Sequence, residues 1–224
     1  MTAIDYAKAR ETMVEQQVRP WDVLDVRVLE ALAALPREAF VPSAYRALAY
    51  ADLAVPIGHG QLMLKPVVEG RMLQSLALLP ADEVLEIGTG SGFIAACLGR
   101  LARDVLSLEI HPELAAGARQ RLAEHGLDGN VRVEVADALQ YQTQRRFDAI
   151  CVSGAVDAIP PQFAHWLRPG GRLFVVHGRA PAMAAVLLRN EVNGQQVNGQ
   201  RIESLFETVL PYLVGAEPTP EFRF

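Results

Sequence analysis

Val84-Leu85-Glu86-Ile87 is a short apolar run that gives way abruptly to Gly88-Thr89-Gly90-Ser91-Gly92, and the helical pattern Phe93–Leu101 follows at once. Strand, glycine turn and helix in that order open an α/β unit. Ligands of open α/β sheets lie beyond the carboxyl ends of the strands, near the topological switch point. Glycine there permits unusual backbone angles and close approach of a ligand, and a helix start offers unpaired N–H groups.

Working outward, the same alternation continues. Val105–Ile110, Val131–Ala136, Phe147–Val152 and Arg172–His177 read as strands, with helices over Pro112–His125 and Pro161–Leu167. The pattern predicts right-handed crossovers and a parallel sheet covered on both faces. The fold class expected is α/β: a Rossmann-like, doubly wound, mostly parallel sheet with a helical N-terminal region. Residues 1–80 form that region and 81–224 the core. Within the first part, Val26, Leu29, Leu32 and Ala33 keep helical spacing behind Asp25, and Val68, Met72, Leu76 and Leu79 do so behind Pro66. Beyond the fifth strand, Ala182–Arg189 reads as one more helix, Asn190–Gln200 as a turn, and Arg201–Phe224 as a source of terminal antiparallel strands.

The glycine spacing discriminates between ligands. It runs GxGxG, with Phe93 where the last glycine of a dinucleotide GxGxxG would fall, and no GK[ST] follows. Glu86 sets a carboxylate beside the turn, which suits a cationic, amino-acid-like ligand such as a sulfonium with its α-ammonium better than a pyrophosphate. Glu109 ends the second strand, 17 residues after Gly92, and can accept hydrogen bonds from both hydroxyls of a ribose. Asp137 ends the third strand, in place to accept from an adenine amino group. Each alone reads as a solvated strand end or cap; in phase with the glycine turn they read as one site.

This constellation resembles the class I S-adenosylmethionine-dependent methyltransferases, and Leu85–Phe93 is similar to the cofactor loop of their protein-L-isoaspartate O-methyltransferase branch. Pro36-Arg37-Glu38-Ala39-Phe40-Val41-Pro42, Tyr50-Ala51-Asp52, Pro56-Ile57-Gly58-His59-Gly60-Gln61, Phe147-Asp148-Ala149-Ile150, Ile159-Pro160 and Pro169-Gly170-Gly171-Arg172-Leu173 resemble that family in the same order. The resemblance implies S-adenosyl-L-methionine as cofactor, held by Glu86, Ile87, Gly88, Thr89, Gly90, Gly92, Glu109, Ile110, Asp137, Ala138 and Ser153. It implies methylation of a carboxylate, by default on isoaspartyl residues of damaged proteins. The partner is then a protein or peptide substrate, or a small-molecule acceptor.

The chain departs from the family where Gly-Gln is followed by Thr, an apolar residue, Ser, any residue and Pro. Here those positions read Leu62-Met63-Leu64-Lys65-Pro66. No catalytic residue is assigned; His59, Gln61, Leu64 and Lys65 are the candidates, with Arg71 a further cation nearby. The departure leaves two alternatives open: a different acceptor, or a protein that binds the cofactor without catalysis.

Composition sets the remaining bounds. Of 224 residues half are hydrophobic and the formal charge is −5, against a general nucleic-acid binder. The longest apolar runs fall far short of the roughly 20 residues that span a bilayer, and the N-terminus lacks a secretory h-region, so a cytoplasmic protein is expected. Cys97 and Cys151 have no ligand spacing and are expected buried and reduced. No metal site and no oligomerisation device is legible, and a monomer is expected.

Overall fold

A computed structural model describes residues 4–193 and 196–219. Among the described residues three α-helices belong to the first third: α1 (Tyr6–Met13), α2 (Val26–Ala34) and α3 (Pro66–Leu76). Asp25 caps α2 by accepting from the Arg27 N–H, and Pro66 opens α3. Between them lies an antiparallel hairpin, β1 (Val55–Gly58) and β2 (Gln61–Met63). α3 stops at Leu76 because Ala77 turns into the left-handed region at φ 44°. Leu79, expected on its apolar face, lies beyond that stop and is exposed.

The core alternates β3 (Glu83–Ile87), α4 (Phe93–Leu101), β4 (Asp104–Glu109), α5 (Pro112–Glu124), β5 (Val131–Val135), β6 (Phe147–Val156), α6 (Pro161–His165) and β7 (Leu167–Arg179). β8 (Ala182–Asn193) and β9 (Gln196–Glu207) complete a seven-stranded sheet in the order β5-β4-β3-β6-β7-β8-β9. β3 to β7 are parallel, and β8 and β9 return antiparallel. The chain therefore reverses its direction of winding between β3 and β6, and the crevice of a doubly wound sheet opens there.

Two buried clusters lie on the two faces of the sheet. Val84, Val105, Cys151 and Phe174 point into the one that α2, α3 and α4 cover. Their neighbours Leu85, Leu106, Ile150 and Val175 point into the other, under Phe163 and Trp166. Strand alternation places successive side chains on opposite faces, and burial of both explains the near-continuous apolar runs. Met13, Leu32 and Leu73 belong to the first cluster, so the N-terminal helices share the core of the sheet. Arg172 on β7 reinforces that junction, donating to the carbonyls of Leu76 and Ala77 and to Asp82. Both cysteines are free and buried.

The helix expected over Ala182–Arg189 is not formed: these residues are strand β8, paired with β7 on one side and β9 on the other. Ala185, Val186, Leu187 and Leu188 are all buried, because a central strand is covered on both faces. The turn expected over Asn190–Gln200 is narrower, since 190–193 and 196–200 are strand and 194–195 lie outside the described residues. β9 is antiparallel, as expected of the last segment, while 208–219 contributes only an isolated bridge, Tyr212 to Ala155.

Candidate active site

The strand ends converge on an open cleft of about 610 Å3, part of it continuous with solvent. Ile87, Gly88, Gly90, Glu109, Ile110, Asp137, Ala138 and Ser153, all named from the sequence, line it. Gly88 takes φ 93° and Gly90 φ 53°, the left-handed turn that the glycine spacing implied. β1–β2 supplies another wall through Ile57, Gln61 and Leu62.

Glu109 is 4% exposed, and its two oxygens accept from the Gly90 N–H (2.7 Å) and the His111 N–H (3.0 Å). These bonds fix the carboxylate against the glycine turn while leaving each oxygen a further lone pair. Asp137 accepts from the Leu139 N–H at 2.8 Å through one oxygen, leaving the other for a ligand. Among the described residues that line the cleft there is no Lys or Arg. A phosphate group would meet only acidic and neutral walls, which agrees with the spacing argument against dinucleotides.

Glu86 lies behind the turn, fully buried, in a smaller inner cavity of about 300 Å3 that also touches Thr89, Leu62 and Leu64. β3–β4 register sets it opposite Ser107, whose hydroxyl donates to Glu86 and meets the Thr89 hydroxyl at 2.5 Å. Ser153 reaches its other oxygen at 3.5 Å. Burial pushes the Glu86 carboxyl up to about 8 despite the Ser107 bond.

Other expected residues go elsewhere. Gly92 lines neither cavity; at φ 87° it caps α4, and a Cβ there would meet that of Ala118 at 3.0 Å. Gly92→Ala is expected to lower stability by about 1–3 kcal/mol through this strain, read as a melting-temperature fall of several degrees. His59, at φ 52°, stacks on His111 with centroids 4.3 Å apart and faces Glu113 at 3.6 Å, which clips the hairpin to α5. Gln61 reaches the cleft, Leu64 the inner cavity, and Lys65 a separate groove.

Sequence reasoning missed four contributors. Leu213 and Val214 close the cleft from the last segment, which is tied to the end of β6 by the Leu213 N–H to Ala155 carbonyl bond (2.8 Å). A Cβ on Gly154 would sit 2.8 Å from Leu213, so that glycine admits the wall. His111 and the Ser107–Thr89 pair were also unforeseen. Finally, Arg37 and Glu69 form a buried ion pair, in which Arg37 also donates to the carbonyls of Ala49 (2.7 Å) and Leu64 (2.6 Å). One Glu69 oxygen has no partner among the described residues, and burial raises its carboxyl even though Arg37 opposes the shift.

The profile of the protein-L-isoaspartate(D-aspartate) O-methyltransferase family matches residues 8–209. A protein-L-isoaspartate O-methyltransferase of Koribacter versatilis is 40% identical over 192 residues, 85% of this chain and 86% of that protein. One from Methylorubrum extorquens is 42% identical over 185 residues, 83% and 80% of the two chains. A Plasmodium falciparum crystal structure described as a protein-L-isoaspartate O-methyltransferase with S-adenosyl-L-homocysteine superposes with TM-score 0.78 at 18% identity, covering 94% of this chain and 99% of that one. That likeness is one of fold, and the sequence matches carry the rest: the family profile runs from within α1 through the hairpin, the glycine turn and every strand of the sheet, and the chain belongs to the protein-L-isoaspartate(D-aspartate) O-methyltransferase family.

Proposed function

We propose that this chain is an S-adenosyl-L-methionine-dependent O-methyltransferase that esterifies a carboxylate, with isoaspartyl residues of proteins and peptides as acceptors. The observation that carries the reading is the convergence of Glu86, Glu109 and Asp137, from the ends of three consecutive strands, on adjoining cavities with no lining Lys or Arg among the described residues. That set of acceptors fits a ligand with a ribose, an adenine amino group and a cationic amino-acid end. Glu109 takes the ribose hydroxyls and Asp137 the adenine amino group, while Glu86 stands at the ammonium end. Gly88 and Gly90 let the main chain approach closely, and Ile110 and Ala138 flank the base.

When bound, the cofactor supplies a sulfonium methyl group: the S–CH3 bond breaks, an O–CH3 bond forms, and a neutral thioether leaves. An acceptor carboxylate is already ionised at neutral pH, so no side chain has to remove a proton. The protein's part is to orient the acceptor oxygen and exclude water, and such orientation is worth up to about 7–11 kcal/mol. The hairpin with Gln61 and Leu62 and the segment with Leu213 supply the enclosing walls.

The test has two arms. S-Adenosylhomocysteine is expected to bind in calorimetry, and Glu109→Ala to weaken it about 10–100-fold through loss of a charge-assisted acceptor. Labelled methyl groups are expected on an isoaspartyl peptide and not on its normal aspartyl isomer. Absence of binding removes the cofactor assignment. Binding without transfer to isoaspartyl peptide favours the second reading, a different acceptor or none, for which the aliphatic Leu62 and Leu64 are the motive.

A further inference from the structure

A carboxylate brought to the transfer point needs a cation or a donor to hold it. Arg37 is engaged by Glu69 and two carbonyls. His59 is engaged by His111 and Glu113. The inner cavity holds two buried carboxyl groups, Glu69 and Glu86, and its Leu62 and Leu64 replace hydroxyls. Among the described residues that line it there is no Lys or Arg, and its Thr89 and Ser153 hydroxyls are drawn into the Glu86 network, so an anion entering it meets no cation to offset them.

Two cations remain beside these leucines, Lys65 and Arg71, and both line a groove of about 980 Å3 between α3 and the segment after β9. Leu62 and Leu64 form part of its wall, and Leu62 lines the cofactor cleft and the inner cavity as well. The groove thus adjoins the proposed methyl-transfer site, with the Leu62 side chain common to both walls. Among the described residues neither the Lys65 nor the Arg71 side chain makes a hydrogen bond or ion pair. Arg71 instead lies over Phe206, 4.6 Å from the ring centroid. Stacking uses the guanidinium face and leaves its N–H edge, the fork that binds a carboxylate, free. Trp21, Val67, Val68 and Leu210 make the rest largely apolar, and Trp21 is 55% exposed. Asp52 and Glu207 also line it, so its charge is balanced and selection rests on the Arg71 fork.

We propose that this groove receives the methyl acceptor as an extended polypeptide segment whose carboxylate is held by Arg71, with Leu62 as the sill between acceptor and cofactor. The assignment rests on the carboxyl-methyltransferase reading above. It makes Arg71 a substrate-binding residue that substitutes for the missing hydroxyls.

The experiment uses the full chain saturated with S-adenosylhomocysteine and an isoaspartyl peptide free of tryptophan, with Trp21 as reporter. The chain's other tryptophan, Trp166, is buried. The peptide is expected to change Trp21 fluorescence saturably, and an analogue with that carboxylate as an amide is not. Arg71→Met is expected to weaken peptide binding and raise the peptide KM about tenfold or more, and to lower kcat as well because the acceptor oxygen loses the group that orients it, with S-adenosylhomocysteine affinity nearly unchanged. Arg71→Lys is expected to recover part of the loss. Unchanged peptide affinity in Arg71→Met overturns the groove assignment and leaves the methyltransferase reading intact. If the wild type methylates no isoaspartyl peptide, that reading fails. The groove assignment then stands if an Arg71-dependent fluorescence change persists, and falls if none occurs.

Discussion

Arg37→Met is expected to lower the unfolding free energy by about 3–5 kcal/mol, the usual result of removing one partner from a buried ion pair. Glu69 is 1% exposed and would be left as an uncompensated buried carboxyl. The Ala49 and Leu64 carbonyls would lose their donor at the same time. At about 2–4 °C per kcal/mol for a chain of this size, the melting temperature should fall by roughly 6–20 °C. The loss should shrink toward acid pH, because a lone buried Glu69 escapes its penalty by taking a proton. A double variant, Arg37→Met with Glu69→Leu, should recover much of the loss, since apolar replacement of a whole buried pair is often neutral. Urea unfolding of the two single variants and the double gives the coupling directly. A loss below about 1 kcal/mol in Arg37→Met would show that Glu69 finds another partner. Because Arg37 holds the Leu64 carbonyl, the same variant should loosen the wall shared by the inner cavity and the acceptor groove.

Arg37 and Glu69 also mark the limit of what the sequence makes legible. The strand, glycine turn and helix at Val84–Leu101 declare themselves locally, because an apolar run, positive-φ residues and helical spacing sit side by side. Glu109 and Asp137 are legible for the same reason: each ends a strand that composition already marks. The Arg37–Glu69 pair joins residues 32 apart; before folding, Glu69 reads as an ordinary charge in the first turn of α3. The Glu86–Ser107 contact needs the β3–β4 register, and the Leu213 wall needs the last segment to return to the end of β6. The misread of Ala182–Arg189 is different in kind. A strand buried on both faces loses the alternation that identifies strands, and its apolar run is indistinguishable by periodicity from a buried helix.

Glu86→Gln is expected to do two opposite things: raise the stability of the ligand-free protein at alkaline pH and weaken cofactor binding. In the fold, burial raises the Glu86 carboxyl to about 8, whereas the unfolded chain ionises it near the ordinary glutamate value of 4.5. Between those values the folded state carries more protons than the unfolded state, so stability falls as pH rises and the loss is complete above about 8. The difference corresponds to an order of 5 kcal/mol. Glutamine abolishes that slope. Thermal unfolding should therefore show the variant near wild type at pH 5 and more stable by a few kcal/mol at pH 9; a variant less stable at pH 9 would refute the assignment. Binding reverses the advantage. A cationic ligand end favours the ionised carboxylate, so wild-type Glu86 has to release its proton when the cofactor's ammonium arrives at pH 7. S-Adenosylhomocysteine affinity should then rise with pH up to about 8. Its binding enthalpy should vary with the ionisation enthalpy of the buffer, in proportion to close to one proton released. In Glu86→Gln both dependences should vanish, with affinity lower by about 10–100-fold at pH 8. Proton release unchanged by the substitution would place the titrating group elsewhere, with Glu69 the other buried carboxyl of the inner cavity.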